Sequence, residues 1–168
     1  MTFSHDPRGE SYTRLTRVDG VVLGLPSVSR KFRLPHDLAH FAVERALDLP
    51  GGIFGCIAAG AVFSNMTVLS GRPRRDARAR STSVLRAARR SISLAESLVG
   101  VAHSAAETHR RLLLRDVREA WGILRAEPCP YAEADVRRVA SILAELGGEW
   151  ASSAEPLELR WPERLRAG

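Results

Sequence analysis

Residues 12–25 read YTRLTRVDGVVLGL, two β-prone runs on either side of an Asp-Gly pair. A type I′ turn needs positive φ at both central residues, and Asp-Gly meets that demand, so the stretch predicts a β-hairpin. Beyond the turn, Val21, Leu23 and Leu25 fall on one face of a strand, because successive side chains alternate. Before the turn the alternation is imperfect. Pro26 ends the pairing, and residues 28–33 read as a short extended piece. At the far end, LELRW (157–161) alternates cleanly, with Leu157, Leu159 and Trp161 opposed to Glu158 and Arg160. It predicts a strand that returns to the hairpin. A small antiparallel sheet built from both ends of the chain, packed against the helices between them, is an α+β fold.

The intervening sequence supplies those helices, three to five of them. Pro35 suits the first helical position, where its missing N–H costs nothing, and the helix runs to Pro50-Gly51-Gly52. Its apolar residues lie on two sides, which predicts burial on two sides. IFGCIAAGAVFSNM (53–66) reads as a tightly packed core helix of a few turns. Ala88, Ile92, Ala95, Val99, Ala102 and Ala106 make one helical stripe; Leu113, Val117, Ala120, Trp121 and Leu124 make another. The register shifts near residues 108–111, so two helices or one bent helix are expected there. After Pro128-Cys129-Pro130, Val136, Val139, Ala140, Leu143 and Leu146 predict a further helix stopped by Gly147-Gly148. The 168 residues suit one domain over 12–165, with a loose terminus over 1–11 and an Arg-rich exposed loop over 70–82.

Charge is concentrated rather than spread. Of the formal net charge of +6, the segment from Arg72 to Arg90 carries more than its share, with eight arginines and one acid, Asp76. Lys31 is the only lysine. Dense positive charge suits phosphate contacts, so Arg72, Arg74, Arg75, Arg78 and Arg80 are candidate contacts for a polyanion such as nucleic acid, of the nonspecific kind. The segment has no aromatic residue for base stacking and matches no helix-turn-helix, zinc-finger or RNP pattern. Two cysteines, Cys56 and Cys129, make no disulfide framework. There is no apolar run of membrane-spanning length and no secretory signal pattern, so the expected location is cytoplasmic.

One stretch points to chemistry. In LPHDLAH (34–40), His36 and His40 are one helical turn apart, and Glu44 continues the row. Two imidazoles so spaced can hold one metal ion, zinc or another divalent transition metal. The helix start disfavours imidazolium, which keeps His36 in the neutral form a ligand needs. Asp37 and Glu44 are then the candidate catalytic carboxylates. A third ligand has to come from elsewhere: Glu44, His103, Glu107 and His109 are candidates that spacing alone does not separate. The bland alternative is a well-signalled helix start, with Asp37 favouring the dipole and the histidines satisfied by neighbouring polar groups.

HDLAH (36–40) resembles the HExxH signature of zinc metallopeptidases, with Asp37 where that family has glutamate. The resemblance implies zinc on His36 and His40 and a water-activating carboxylate at 37, one methylene shorter than the family's. His36-Asp37 also resembles the doublet of HD phosphohydrolases, but a convincing upstream histidine is missing, since His5 lies in the expected loose terminus. More broadly, RLPHDLAHFAVE with the following GGIFG segment and a closing strand ending in Trp resembles a group of small proteins from high-GC actinobacteria. These carry an LPHDL-x-H block after an N-terminal hairpin; the resemblance implies a family and no mechanism.

Taken together, the sequence is read as a soluble binding or protein-interaction module. Trp121, Trp150 and Trp161 are candidate anchors for a homodimer or partner on a helical face. The alternatives are a small zinc-type hydrolase working through the HDLAH helix, and a polyanion binder working through the arginine segment. No nucleophile elbow, P-loop or dinucleotide fingerprint is present.

Overall fold

The computed structural model describes residues 1–5, 11–27 and 32–168. The hairpin forms as β2 (Ser11–Thr16) and β3 (Val22–Ser27), with Thr16 opposite Val22. Its loop is not the expected type I′ turn, because Gly20 alone takes a positive φ, 78°. Gly20 N–H donates to the Arg17 carbonyl and Arg17 N–H to the Val21 carbonyl, both at 3.0 Å. The result is a three-residue loop with glycine in the left-handed position. Asp19 contributes its carboxylate instead of an unusual backbone. It accepts from Val21 N–H at 3.2 Å and from the Arg17 guanidinium, whose hydrogen bonds hold its pKa below the usual carboxylate value.

Three further strands complete the sheet. The expectation of a loose terminus over 1–11 is corrected at its start: Thr2–His5 form β1, antiparallel to β2 with Phe3 opposite Thr13. The reason is Phe3, 1% exposed, whose ring meets those of Phe41 and Phe54 edge to face at 5.9 and 6.2 Å. Thr67–Ser70 form β4, an exposed edge strand on β3 that the sequence reading did not anticipate. The closing strand is shorter than LELRW suggested. Only Leu157–Glu158 form β5, and they pair with β1 rather than with the hairpin. The order is β4-β3-β2-β1-β5. Of the piece expected over 28–33, residues 28–31 lie outside those described.

Among the described residues there are five α-helices, and an α+β architecture results: α1 (His36–Ala46), α2 (Ile53–Ala59), α3 (Ala77–Glu107), α4 (Leu114–Gly122) and α5 (Glu133–Ser152). Pro35 is the residue just before α1, not its first, and its carbonyl accepts the first helical hydrogen bond from Ala39 N–H at 3.0 Å. α1 is the centre of the molecule. Leu38, Phe41, Ala42, Val43 and Glu44 are all wholly buried, and the helix packs against both α3 and α5. The expected two-sided burial is what the structure has.

Two other boundaries moved for physical reasons. α5 runs through Gly147-Gly148 to Ser152, although each helical glycine costs about 1 kcal/mol relative to alanine. Beyond them Trp150 is 7% exposed and stacks on His5 at 3.7 Å, so packing outweighs propensity. The Arg-rich loop spans only 71–76 rather than 70–82, since Ser70 belongs to β4 and α3 begins at Ala77. The break expected near 108–111 is real: α3 ends at Glu107, and His109 turns the chain with a φ of 51°. No helix among the described residues is long and apolar enough to cross a membrane.

Candidate metal centre

The backbone ahead of α1 is clamped to α3. Glu107 accepts from the N–H groups of Arg33 and Leu34 at 3.0 and 2.9 Å, and His103 Nε2 donates to the Leu34 carbonyl at 2.9 Å. These contacts fix where the first turn of α1 begins. They also orient the histidines. A carbonyl only accepts, so His103 carries its proton on Nε2 and offers a lone pair at Nδ1. Burial, the largest influence, moves the His103 pKa below its ordinary value, in keeping with that neutral form.

The lone pair on His103 Nδ1 receives the Nδ1 proton of His36 at 3.2 Å, which turns His36 Nε2 to the opposite side. One turn along, His40 Nδ1 donates to Glu44 Oε1 at 2.9 Å. The remaining nitrogen, His40 Nε2, faces the same way as His36 Nε2. Both look at the carboxylate of Glu96 on α3: His40 Nε2 lies 3.2 Å and His36 Nε2 3.7 Å from Glu96 Oε2. One ligand atom from each of the three residues lies within 4.8 Å of the others, so His36, His40 and Glu96 can hold a metal ion. A zinc-type ion with bonds of ~2.0–2.1 Å keeps its donors roughly 3.3–3.5 Å apart, and the two edges to Glu96 fall about that distance.

The third group that meets His36 and His40 is Glu96, none of the four candidates drawn from the sequence. Glu44, wholly buried, is engaged behind His40, where it also accepts from Ile53 and Phe54 N–H at 2.8 and 3.1 Å at the start of α2. The backbone of Gly52 lies flush against it: a Cβ there would sit 2.3 Å from the Glu44 Cδ. Both oxygens of Glu44 are thus engaged by protein donors, and no observation favours the reading of it as a catalytic base. His103 stands behind His36, Glu107 holds the α1 entrance, and His109 meets Arg33. Glu96 carried one signal that was overlooked. With His103 and Glu107 it falls seven and eleven residues apart on α3, so polar residues interrupt the face that meets α1.

Charge in the cluster follows from these contacts. Burial opposes a charge on His40, but hydrogen bonds to Glu44 and Glu96 outweigh it and push its pKa up to about 9. The hydrogen bonds from His36 and His40 hold the Glu96 carboxyl well below the usual range. Asp37 stands beside the ligands rather than among them. Burial raises its pKa, and its Oδ2 has no hydrogen-bond partner among the described residues. Asp37, His36 and His103 line an open cleft of about 630 Å³ that runs along α3.

The arginine candidates divide. Arg72, Arg74, Arg75 and Arg78 are exposed, with Arg74 3.4 Å from Asp76. Arg80 differs in being half-buried: its Nε donates to the Ala59 carbonyl at 2.7 Å and packs under Gly60, closing the C-terminus of α2. Of the tryptophans, Trp150 is core, and Trp121 and Trp161 are half-buried with their indole N–H groups on the Glu127 and Leu165 carbonyls. Cys56 is buried, and burial followed by the nearby Glu44 pushes its thiol up to about 12, which suits packing. Comparison of the chain with protein-family models, with curated proteins and with solved structures finds no match.

Proposed function

We propose that this chain is a binding protein for a divalent transition metal of the zinc type, held by His36 Nε2, His40 Nε2 and Glu96 Oε2. The observation that carries this reading is the pair of outer hydrogen bonds, His36 to His103 and His40 to Glu44, which leave both Nε2 atoms aimed at one carboxylate, where a metal ion would take the place of their protons. A ligating histidine whose other nitrogen is tied to a carboxylate or similar acceptor is the usual arrangement around bound metals. Three protein ligands leave a coordination position open to a small molecule.

The test is metal analysis of untagged protein after zinc loading and dialysis. The expected result is about one equivalent in the wild type and loss in His36→Ala, His40→Ala and Glu96→Gln. Less than roughly a tenth of an equivalent, with no thermal shift on adding zinc, would mean that the cluster is only a network of histidines and carboxylates.

A second reading, metal-dependent hydrolysis, draws on Asp37. Its place in the cleft beside His36 suits a carboxylate that takes a proton from an attacking water. A bound metal would supply Lewis-acid polarisation of the substrate. The check is p-nitrophenyl acetate cleavage by zinc-loaded protein: Asp37→Asn is expected to lower the rate by roughly 10²-fold or more at unchanged zinc content. Equal rates in the two proteins would remove Asp37 from the chemistry.

A further inference from the structure

A second cleft, lined by none of His36, His40 and Glu96, collects guanidinium groups. It has a volume of about 640 Å³ and lies between the loop end of the hairpin, α2 and the tail that follows β5. The tail is pinned in place. The Trp161 indole N–H donates to the Leu165 carbonyl at 3.1 Å, and Ala167 N–H donates to the Gly55 carbonyl of α2 at 3.1 Å. Arg17, Arg45, Arg160 and Arg166 all reach this cleft, against one acid, Glu163. Between the cations its wall is apolar, made by Leu15, Ile57 and the half-buried Trp161.

Arg17 is the unusual member. Continuing the alternation of β2 puts it on the face of the buried Thr13 and Leu15, and its side chain is only 7% exposed. Asp19 holds its Nε and Nη2, but Nη1 is shut off from solvent and has no hydrogen-bond partner among the described residues. A buried charged donor left without an acceptor is destabilising, and this one stands in the wall of a cleft. The other three arginines are exposed and make no side-chain hydrogen bond or ion pair among the described residues; Arg45 rests on the Phe41 ring at 5.9 Å. We infer that this cleft binds a small organic acid, an apolar body carrying a carboxylate or phosphate group, with the acid taken by the guanidinium groups and the body against Ile57 and Trp161. Guanidinium forks match either oxyanion, and a cleft lined by one sign of charge concentrates the opposite ion. A metal at His36, His40 and Glu96 plays no part in it.

The experiment is calorimetric titration of the full chain with octanoate and octyl phosphate, with octanol as the uncharged control and with acetate and inorganic phosphate as the acids without a body. One of the two octyl acids is expected to bind at a single site, about tenfold or more tighter than octanol and than its own shortened counterpart, and which acid it is identifies the head group. Arg45→Gln and Arg166→Gln, at exposed positions, are each expected to weaken that binding about tenfold at an unchanged melting temperature. Arg17→Met, which removes the buried cation and keeps the length of the side chain, is expected to abolish it. Arg72→Gln, an equal change of charge outside the cleft, is expected to bind as the wild type does. Octanol bound as tightly as either acid overturns the inference, as does an acid bound no better than its shortened counterpart. The same affinity in Arg72→Gln as in the Arg45 and Arg166 variants overturns it too, and so does a failure of both octyl acids to saturate the protein by roughly 1 mM.

Discussion

At the scale of single residues the centre depends most on a side chain that does not face it. Glu44 is buried, and its carboxylate is held by His40 and two backbone N–H groups. Removing a carboxylate behind a ligating histidine typically weakens metal binding roughly 10–100-fold. Glu44→Gln is therefore expected to lower zinc affinity by about that factor while leaving the stoichiometry unchanged, as measured by competition with a chromophoric chelator. The sequence displayed His36, His40 and Glu44 as one row, and from a row alone all three have equal claim to a metal. What separates them is the packing of α2. Once Ile53 and Phe54 present their N–H groups, both oxygens of Glu44 are engaged on the side away from His36 and Glu96. That information lies nine and ten residues downstream and becomes visible only in three dimensions.

At the scale of elements, α3 performs two unrelated tasks along its length. Its C-terminal half supplies Glu96, His103 and Glu107 to α1, and its first turns carry arginines into solvent. The exposed set predicts weak, salt-sensitive association with nucleic acid. Replacing Arg72, Arg75 and Arg78 by Gln is expected to lower the slope of log affinity against log salt by roughly 2–3, as read by fluorescence anisotropy with a DNA duplex. Arg80→Gln is expected to leave that slope nearly unchanged and instead to lower stability, because Arg80 satisfies the α2 terminus. Elements with long periodic stripes were legible in the sequence: α1, α3, α4 and α5 all lie where periodicity put them. Short strands were not. β1 and β4 have four residues each, too few for alternation to rise above chance, and their pairing is decided by partners distant in sequence. The carboxylate that meets the two histidines was missed for a related reason. Glu96 looks like any helical glutamate until α1 is laid across α3.

At the scale of the whole molecule, a metal ion here would join helices whose ligands are separated by more than fifty residues, so its binding is expected to be felt as global stability. At a free zinc concentration of about a hundred times Kd the gain is ~2.7 kcal/mol, or roughly 5–10 °C in Tm for a chain of this size. The pH dependence has opposite signs in the two forms. His40 titrates at about 9 in the metal-free fold, against ~6.5 in an unfolded chain. Its proton thus contributes stability that is complete below the lower value and is lost as pH rises through the higher one. Scanning calorimetry of chelator-treated protein is expected to show Tm falling across that window on this account, whereas the increment due to zinc grows because the ligand nitrogen must be free. Glu44 extends the reach of the site further. The amide hydrogens of Ile53 and Phe54 end on the same carboxylate as the His40 ring, so they can exchange with deuterated solvent only when that carboxylate lets go. Filling the metal position from the far side of the ring would slow their exchange, making two backbone amides of a neighbouring helix a remote gauge of whether the centre is occupied.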